Sequence, residues 1–434
     1  MEPLPAAYLA GLTPRDVQIT FFDDRMEPID FDHPADLVAV SVETYTAKRS
    51  YQIASEYRRR GVPVVMGGFH PTLLPEEALQ YAEAIVIGEA ENLWPELIDD
   101  FRQGGLKRIY KSSQRPDITA AMPDRTVFGS RNYFPIGIMD AGRGCTYKCD
   151  FCAIQAYFQA THNWRGIEAL VDEVKRVKAQ HKLIFFIDDN LMARPEQAKQ
   201  FFEALIPLKI KWISQADITT TYDAEMLTLM KKSGCQGILI GFESLNRENL
   251  KSMNKGFNAA RGGAAEAVRM LHRHGLRLYA TFLFGYDADT VDSFGEALDF
   301  CIEHNIFITA FNHITPFPGT PLYKRLESEK RLLYDKWWLD DRYQYGDVPF
   351  RTIMPADEIR ENCRQARAAF YSMRSIAKRL VNATNRNSPA VFAAYMFINM
   401  ILRNDVSQRY SLPLGDSAYA GELLKVDEAV RAAF

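Results

Sequence analysis

Half of the six cysteines crowd one loop: Gly142-Arg143-Gly144-Cys145-Thr146-Tyr147-Lys148-Cys149-Asp150-Phe151-Cys152 sets its thiols at spacings of four and three. Cys235, Cys301 and Cys363 are scattered and read as small buried residues. Three soft thiolates on one loop suit an iron–sulfur cluster or a zinc ion. Zinc would take His162 as its fourth ligand, but its usual cysteine pairs come as separate knuckles and the chain has no second pair. A cubane cluster carries more irons than three cysteines can ligate. One iron would stay open to a substrate or cofactor, as the fourth position of a catalytic zinc does.

Other polar side chains follow apolar runs. Ile187-Asp188-Asp189-Asn190 offers two carboxylates for an ammonium group or for capping the next helix. Gln215 and Asp217 follow a third run, Glu243 and Ser244 a fourth, and Gly285 ends a fifth, Phe282-Leu283-Phe284.

The elements that must position these residues form two α/β series. In the first, Val17–Phe22, Leu37–Val42, Val62–Met66 and Ala84–Ile87 read as strands buried on both faces, with helices over Thr46–Arg60 and Pro75–Ala82 between them. Ser41, Gly67-Gly68-Phe69-His70-Pro71 and Gly88-Glu89-Ala90-Glu91 would then sit at the carboxyl edge, where open α/β sheets bind ligands. Residues 106–130 show no sustained period and read as a linker. The second series has strands at Ile136–Asp140, Leu183–Ile187, Ile210–Ser214, Gly237–Gly241, Leu276–Phe284 and Phe307–Ile314. Helices alternate with them, among them Ala259–His274, and six strand–helix units predict a partial barrel over residues 131–325. Residues 326–434 read as mostly helical. Trp337-Trp338 and Tyr343-Gln344-Tyr345 read as core aromatics or as a pocket wall at the barrel mouth.

Composition narrows the class. At 434 residues the chain is long enough for two to three domains, and 47% hydrophobic with 25% charged residues excludes disorder. A net charge of −3 argues against nucleic acid as a partner. Met1-Glu2-Pro3-Leu4-Pro5 lacks a basic leader, and no run reaches the roughly 18 apolar residues of a spanning helix, so a cytoplasmic protein is expected. The apolar run Ser388–Leu402 is read as a helix packed on the barrel or one that makes peripheral membrane contact.

The cysteine loop, with Phe151 just before its last cysteine, resembles the CxxxCxxC hallmark of the radical S-adenosylmethionine (SAM) superfamily. The resemblance implies a 4Fe-4S cluster on Cys145, Cys149 and Cys152, with SAM chelated at the open iron and cleaved by one electron to a 5′-deoxyadenosyl radical. By the same resemblance Asp188 or Asp189 holds the SAM ammonium, Glu243 and Ser244 the ribose, and Gly285 lies beside adenine, with Gln215 a further cleft residue. An electron donor such as flavodoxin or ferredoxin and a small-molecule or lipid substrate are implied as partners.

Residues 1–105 resemble the flavodoxin-like cobalamin-binding domain found ahead of the barrel in one class of this superfamily, through Ser41, Gly67 and Gly68. The DxHxxG motif that supplies an axial histidine is absent, and His70 reads as a loop or interface residue. The chain begins at the domain's first helix, so the central first strand is missing. Either translation starts earlier, or the sheet closes without that strand, or the domain is a relic that holds no cobalamin. With cobalamin, the resemblance implies C-methylation; without it, cyclisation or rearrangement. A protein of another class, a zinc- or cluster-stabilised binding module, is the alternative.

Overall fold

The structure is a computed structural model that describes residues 1–406 and 411–426. Residues 407–410 and 427–434 of the expected helical region lie outside the described residues.

Short β-branched runs form the first sheet: β1 (Val38–Ser41), β2 (Val64–Gly67), β3 (Ala84–Ile87) and β4 (Ile109–Lys111), parallel and in that order. The middle strands are buried on both faces, between helices such as Ala47–Arg59 and Leu93–Arg102. Two expectations are corrected. Val17–Phe22 is not a strand: in a flavodoxin-like order its neighbour is the central first strand, no described strand takes that place, and Ile19 lies exposed. The linker expected over 106–130 contributes β4, which pairs with β3 through Ile85, Val86 and Ile87. Its three residues are too few to show a period.

The second sheet begins with β5 (Gly137–Met139). A short hairpin of β6 (Gly142–Gly144) and β7 (His162–Trp164) follows, carrying the cysteine loop at its tip. Then come β8 (Ile184–Phe186), β9 (Trp212–Ala216), β10 (Cys235–Glu243), β11 (Arg277–Phe284) and β12 (Ile308–His313). The parallel order β5-β8-β9-β10-β11-β12 makes the partial six-stranded barrel, and β5 does not pair with β12. Its helices start and stop on local signals. The Asp223 side chain accepts the Met226 N–H of the helix Ala224–Ser233, and Gly234 ends it in a left-handed conformation. The helix expected over Ala259–His274 is broken at Arg261-Gly262-Gly263, where three consecutive residues have positive φ.

Trp212, Phe186, Phe201 and Phe202 are fully buried beneath the helices, with Phe202 stacked on Trp212 at 4.9 Å. Cutting any one of these phenylalanines to alanine should cost about 3–5 kcal/mol. Cys235, Cys301 and Cys363 are buried, as the sequence suggests.

Beyond the barrel the chain turns back on the N-terminal domain. Trp337, Trp338 and Tyr343 join one core with Val42, Tyr51 and Met66, whereas Gln344 and Tyr345 lie exposed. The helices Ala356–Phe370, Met373–Arg379 and Pro389–Asp405 follow, and Leu412–Pro413 then pairs antiparallel with Gln344–Tyr345.

Candidate active site

Every strand-end residue singled out in the barrel lies at its carboxyl edge, around the cysteine loop. Asp188, fully buried just past β8, uses both carboxyl oxygens on the start of that loop. They accept the N–H groups of Ala141 at 2.9 Å and Gly142 at 2.5 Å. Burial, with Asp140 and Asp189 nearby, pushes its pKa well up. Asp189 accepts the Gly144 N–H at 2.8 Å through one oxygen, and its other oxygen has no partner among the described residues. These two carboxylates therefore shape the loop, and only Asp189 keeps an atom to spare. Next to them stands a residue that pattern reasoning passed over. Asn190 donates from Nδ2 to Asp217 at 2.9 Å and lies 3.8 Å from Cys145 Sγ, which leaves its buried Oδ1 without a partner.

The far side of the loop is pinned just as firmly. Asp150 N–H donates to Met253 O at 3.2 Å, and Asp150 O accepts the Leu322 N–H at 2.9 Å. Asp150 Oδ1 accepts the Tyr286 hydroxyl at 2.6 Å. Phe151 is partly buried against the barrel core. Burial raises the pKa of all three thiols, to about 12 at Cys149 and about 11 at Cys152, with the neighbouring cysteines adding to it at those two and Asp217 and Asp189 at Cys145. Bare thiols here stay protonated; a bound cluster is what makes thiolates of them.

Lys255 is the second residue the sequence did not flag. Its ammonium is largely buried, 2.7 Å from Glu243 Oε1 and 3.1 Å from Gly241 O. Burial opposes its charge, but the Glu243 carboxylate outweighs burial and holds its pKa up. The only sequence signal was a lysine in the tight loop Met253-Asn254-Lys255-Gly256, where Asn254 has a φ of +55°.

Glu243 itself sits at φ +64°, where the ladder of β10 with β11 slips. Strain of this kind collects at functional sites. Ser244 follows it, its Oγ accepting the Asn246 N–H at 3.0 Å. A recess of about 220 Å³ opens here, lined by Phe242, Ser244, Leu245, Arg247, Leu250 and Asn258. Gln215 lies within β9 and not just past it, because the strand ends at Ala216, two residues later than expected, and its side chain has no partner among the described residues. Gly285 has a φ of +111°, and a Cβ there would stand 3.1 Å from Ile314 Cγ2. Asp289, held by Asn249, accepts the Gly285 N–H at 2.7 Å and the Tyr286 N–H at 3.0 Å.

The donor set, three soft thiols on one loop, suits an iron–sulfur cluster, and zinc lacks its fourth ligand among the described residues. Among the described residues no three His, Cys, Asp or Glu side chains converge closely enough to hold one ion. His162 is buried with both ring nitrogens unpartnered, and burial lowers its pKa to about 4, so it is a neutral core histidine.

The N-terminal edge fits a ligand in part. Ser41 is exposed and in register with Gly67. A Cβ at Gly67 would meet only ordinary contacts, and one at Gly88 would meet nothing within 4 Å. Gly68 serves the protein itself: at φ +101° it brings its backbone against the exit of β1, where a Cβ would lie 2.9 Å from Val42 O. His70 is no axial ligand. It is fully buried, with Nε2 3.0 Å from Glu77 Oε1 and 3.1 Å from the Tyr51 hydroxyl. This edge abuts the helix Ala153–Phe158 that follows Cys152: Phe69 packs on Tyr157 at 4.5 Å.

Known proteins agree with this geometry. The chain matches the Radical SAM superfamily over residues 139–301, a B12 binding domain over 1–98 and a domain of unknown function, DUF4070, over 320–401. It is 31% identical over 390 residues to bacteriochlorophyllide d C-12(1)-methyltransferase of Chlorobaculum tepidum, covering 87% of this chain and 84% of that one. The bacteriochlorophyllide d C-8(2)-methyltransferase of the same organism is 31% identical over 356 residues, covering 76% and 77%. Among solved structures, the radical SAM methyltransferase TsrM of Kitasatospora setae, with cobalamin and a 4Fe-4S cluster bound, superposes with a TM-score of 0.59 at 16% identity, covering 87% of this chain and 89% of that one. The family's cofactors are a 4Fe-4S cluster, SAM and, through the N-terminal domain, cobalamin. The chain belongs to the radical SAM enzymes that carry a B12 binding domain ahead of the barrel.

Proposed function

We propose that this enzyme methylates an unactivated carbon of a small-molecule substrate, with residues 1–111 holding cobalamin and residues 131–325 holding the cluster and SAM. One observation carries the reading: the open carboxyl edge of the N-terminal sheet abuts the helix that follows Cys152, through Phe69 and Tyr157. When bound, the cluster supplies the electron that cleaves SAM and cobalamin carries the methyl group.

The chain's own residues have separable tasks. Cys145, Cys149 and Cys152 hold three irons. The unpartnered Asn190 Oδ1 and the spare oxygen of Asp189 accept from the SAM ammonium, and Lys255 faces its carboxylate. Glu243 and Ser244 take the ribose, with Gln215 a further contact across the cleft. Gly285 admits adenine, because no side chain stands at that position. Ser41 and Gly67 leave room for the cobalamin tail. An electron donor such as flavodoxin or ferredoxin, in the cytoplasm, completes the proposal. The relatives named for bacteriochlorophyllide make a tetrapyrrole the first substrate class to assay.

The test is anaerobic reconstitution with iron, sulfide and hydroxocobalamin, followed by reduction with dithionite and addition of SAM with a deuterated methyl group. Formation of S-adenosylhomocysteine, with label on the cobalamin, supports methyl transfer. Release of 5′-deoxyadenosine with no S-adenosylhomocysteine would instead favour cyclisation or rearrangement.

A further inference from the structure

The stretch from Asn362 to Asn404 contains no aspartate or glutamate and seven arginines or lysines, in a chain whose net charge is −3. Within it the helix Pro389–Asp405 packs on the barrel through one narrow stripe. Tyr395 and Asn399 are buried, the Tyr395 hydroxyl donating to Ile376 O at 2.9 Å and Asn399 Oδ1 accepting from Arg379 at 3.0 Å. A helical period of 3.6 residues puts Ala393, Phe397, Met400 and Ile401 on the opposite face. Phe397 is 57% exposed and Ile401 48%, and no charged residue interrupts the helix between Pro389 and Leu402. On the segment before it, Val381 is 72% exposed and Met373 48%. Arg374, Lys378 and Arg386 stand exposed on the same segments and form no ion pair among the described residues.

We infer that this face docks on the surface of an anionic lipid bilayer, the helix lying in the interface with its basic neighbours against the headgroups. An apolar helix face bordered by unpaired cations, with no acid before Asp405 in its last turn, has the composition of an interfacial helix. No helix of the described residues is long and apolar enough to cross a membrane, which leaves the in-plane arrangement. A second copy of the chain fits poorly, because a two-fold contact would bring like-charged rims together. The substrate fits poorly too: the helix packs against Phe307, before the amino end of β12, whereas the cysteine loop lies at the carboxyl edge. The contact therefore anchors the enzyme whichever chemistry the barrel performs.

The reconstituted full chain, sedimented with phosphatidylcholine vesicles and with mixed phosphatidylcholine–phosphatidylglycerol vesicles, tests this. We expect pelleting with the mixed vesicles, release by salt, and little binding to phosphatidylcholine alone. Phe397→Ser with Ile401→Ser, and separately Arg374→Gln with Lys378→Gln, should each weaken binding about tenfold or more. Both pairs are exposed, and unchanged cluster absorbance and circular dichroism verify their folding. Wild-type protein left in the supernatant with mixed vesicles, or apolar variants that bind as well as wild type, would overturn the inference. So would a wild-type dimer that the apolar variants split, since the face would then belong to a second copy.

Discussion

Asp188 shows how a residue read as a ligand can act one step back from the ligand. Its two oxygens fix Ala141 and Gly142, and through them the entry to the cysteine loop. Asp188→Asn turns an amide N–H₂ against one of these backbone donors and should cost about 1–3 kcal/mol. We expect lower iron and sulfide content after reconstitution, with all three cysteines intact; full cluster loading in that variant would count against the positioning role. Lys255→Met removes the cation that Glu243 keeps charged. It should weaken SAM binding about tenfold or more while leaving the cluster's visible absorbance in place. The cysteines were legible in the sequence because all three fall within one short loop. Lys255 and Asn190 were not, because what singles them out is a partner far away in the chain, Glu243 and Cys149 for one, Cys145 and Asp217 for the other.

At the scale of elements, apolar runs gave the six barrel strands to within a few residues, since one face of each is buried and most residues of the other are at least half-buried. The failures have equally local causes. Val17–Phe22 is apolar enough for a strand, but a strand exists only through its ladder, and this one has no described neighbour. The expected helix Ala259–His274 has helical spacing yet breaks where Gly262 and Gly263 take positive φ. Helix packing also sets a pH dependence. On the helix Gly263–Arg273, His272 Nδ1 lies 2.9 Å from Asn382 Nδ2, and burial lowers its pKa from 6.5 to about 4. The amide N–H donates to the ring, which must therefore be unprotonated at Nδ1. The unfolded chain takes up a proton there that the folded chain refuses, so stability present above pH 6.5 is lost as pH falls toward 4. Partial exposure trims the effect to about 2 kcal/mol. Urea titrations across this range should show His272→Gln to be less acid-sensitive than wild type; equal slopes would show that the imidazole does not titrate differently on folding.

Over the whole molecule, two buried polar joints hold the cofactor-binding edges in place, and neither could be read from sequence. In one, Glu77 of the N-terminal domain accepts from Trp338 at 2.9 Å, lies 3.0 Å from His70 and pairs with Lys336 at 2.9 Å. Burial pushes the Glu77 pKa up, but these hydrogen bonds overcome it and bring it to about 2. Glu77→Ala would strand the donors and should cost about 3 kcal/mol, seen as a lower unfolding midpoint. In the other, Arg143, two residues before Cys145, pairs with Asp140 at 2.6 Å and with Glu91 of the N-terminal domain at 2.5 Å. The loop that holds the cluster is thereby tied to the end of the sheet that faces it. The claim on which all of this rests is that the cysteine loop holds a cluster that cleaves SAM. Its most direct test is 5′-deoxyadenosine formation from SAM by anaerobically reconstituted, reduced protein, wild type beside Cys149→Ala. We expect product from the wild type and none above background from the variant; fully reconstituted wild-type protein that leaves SAM intact, or a variant that cleaves it equally well, would contradict the account.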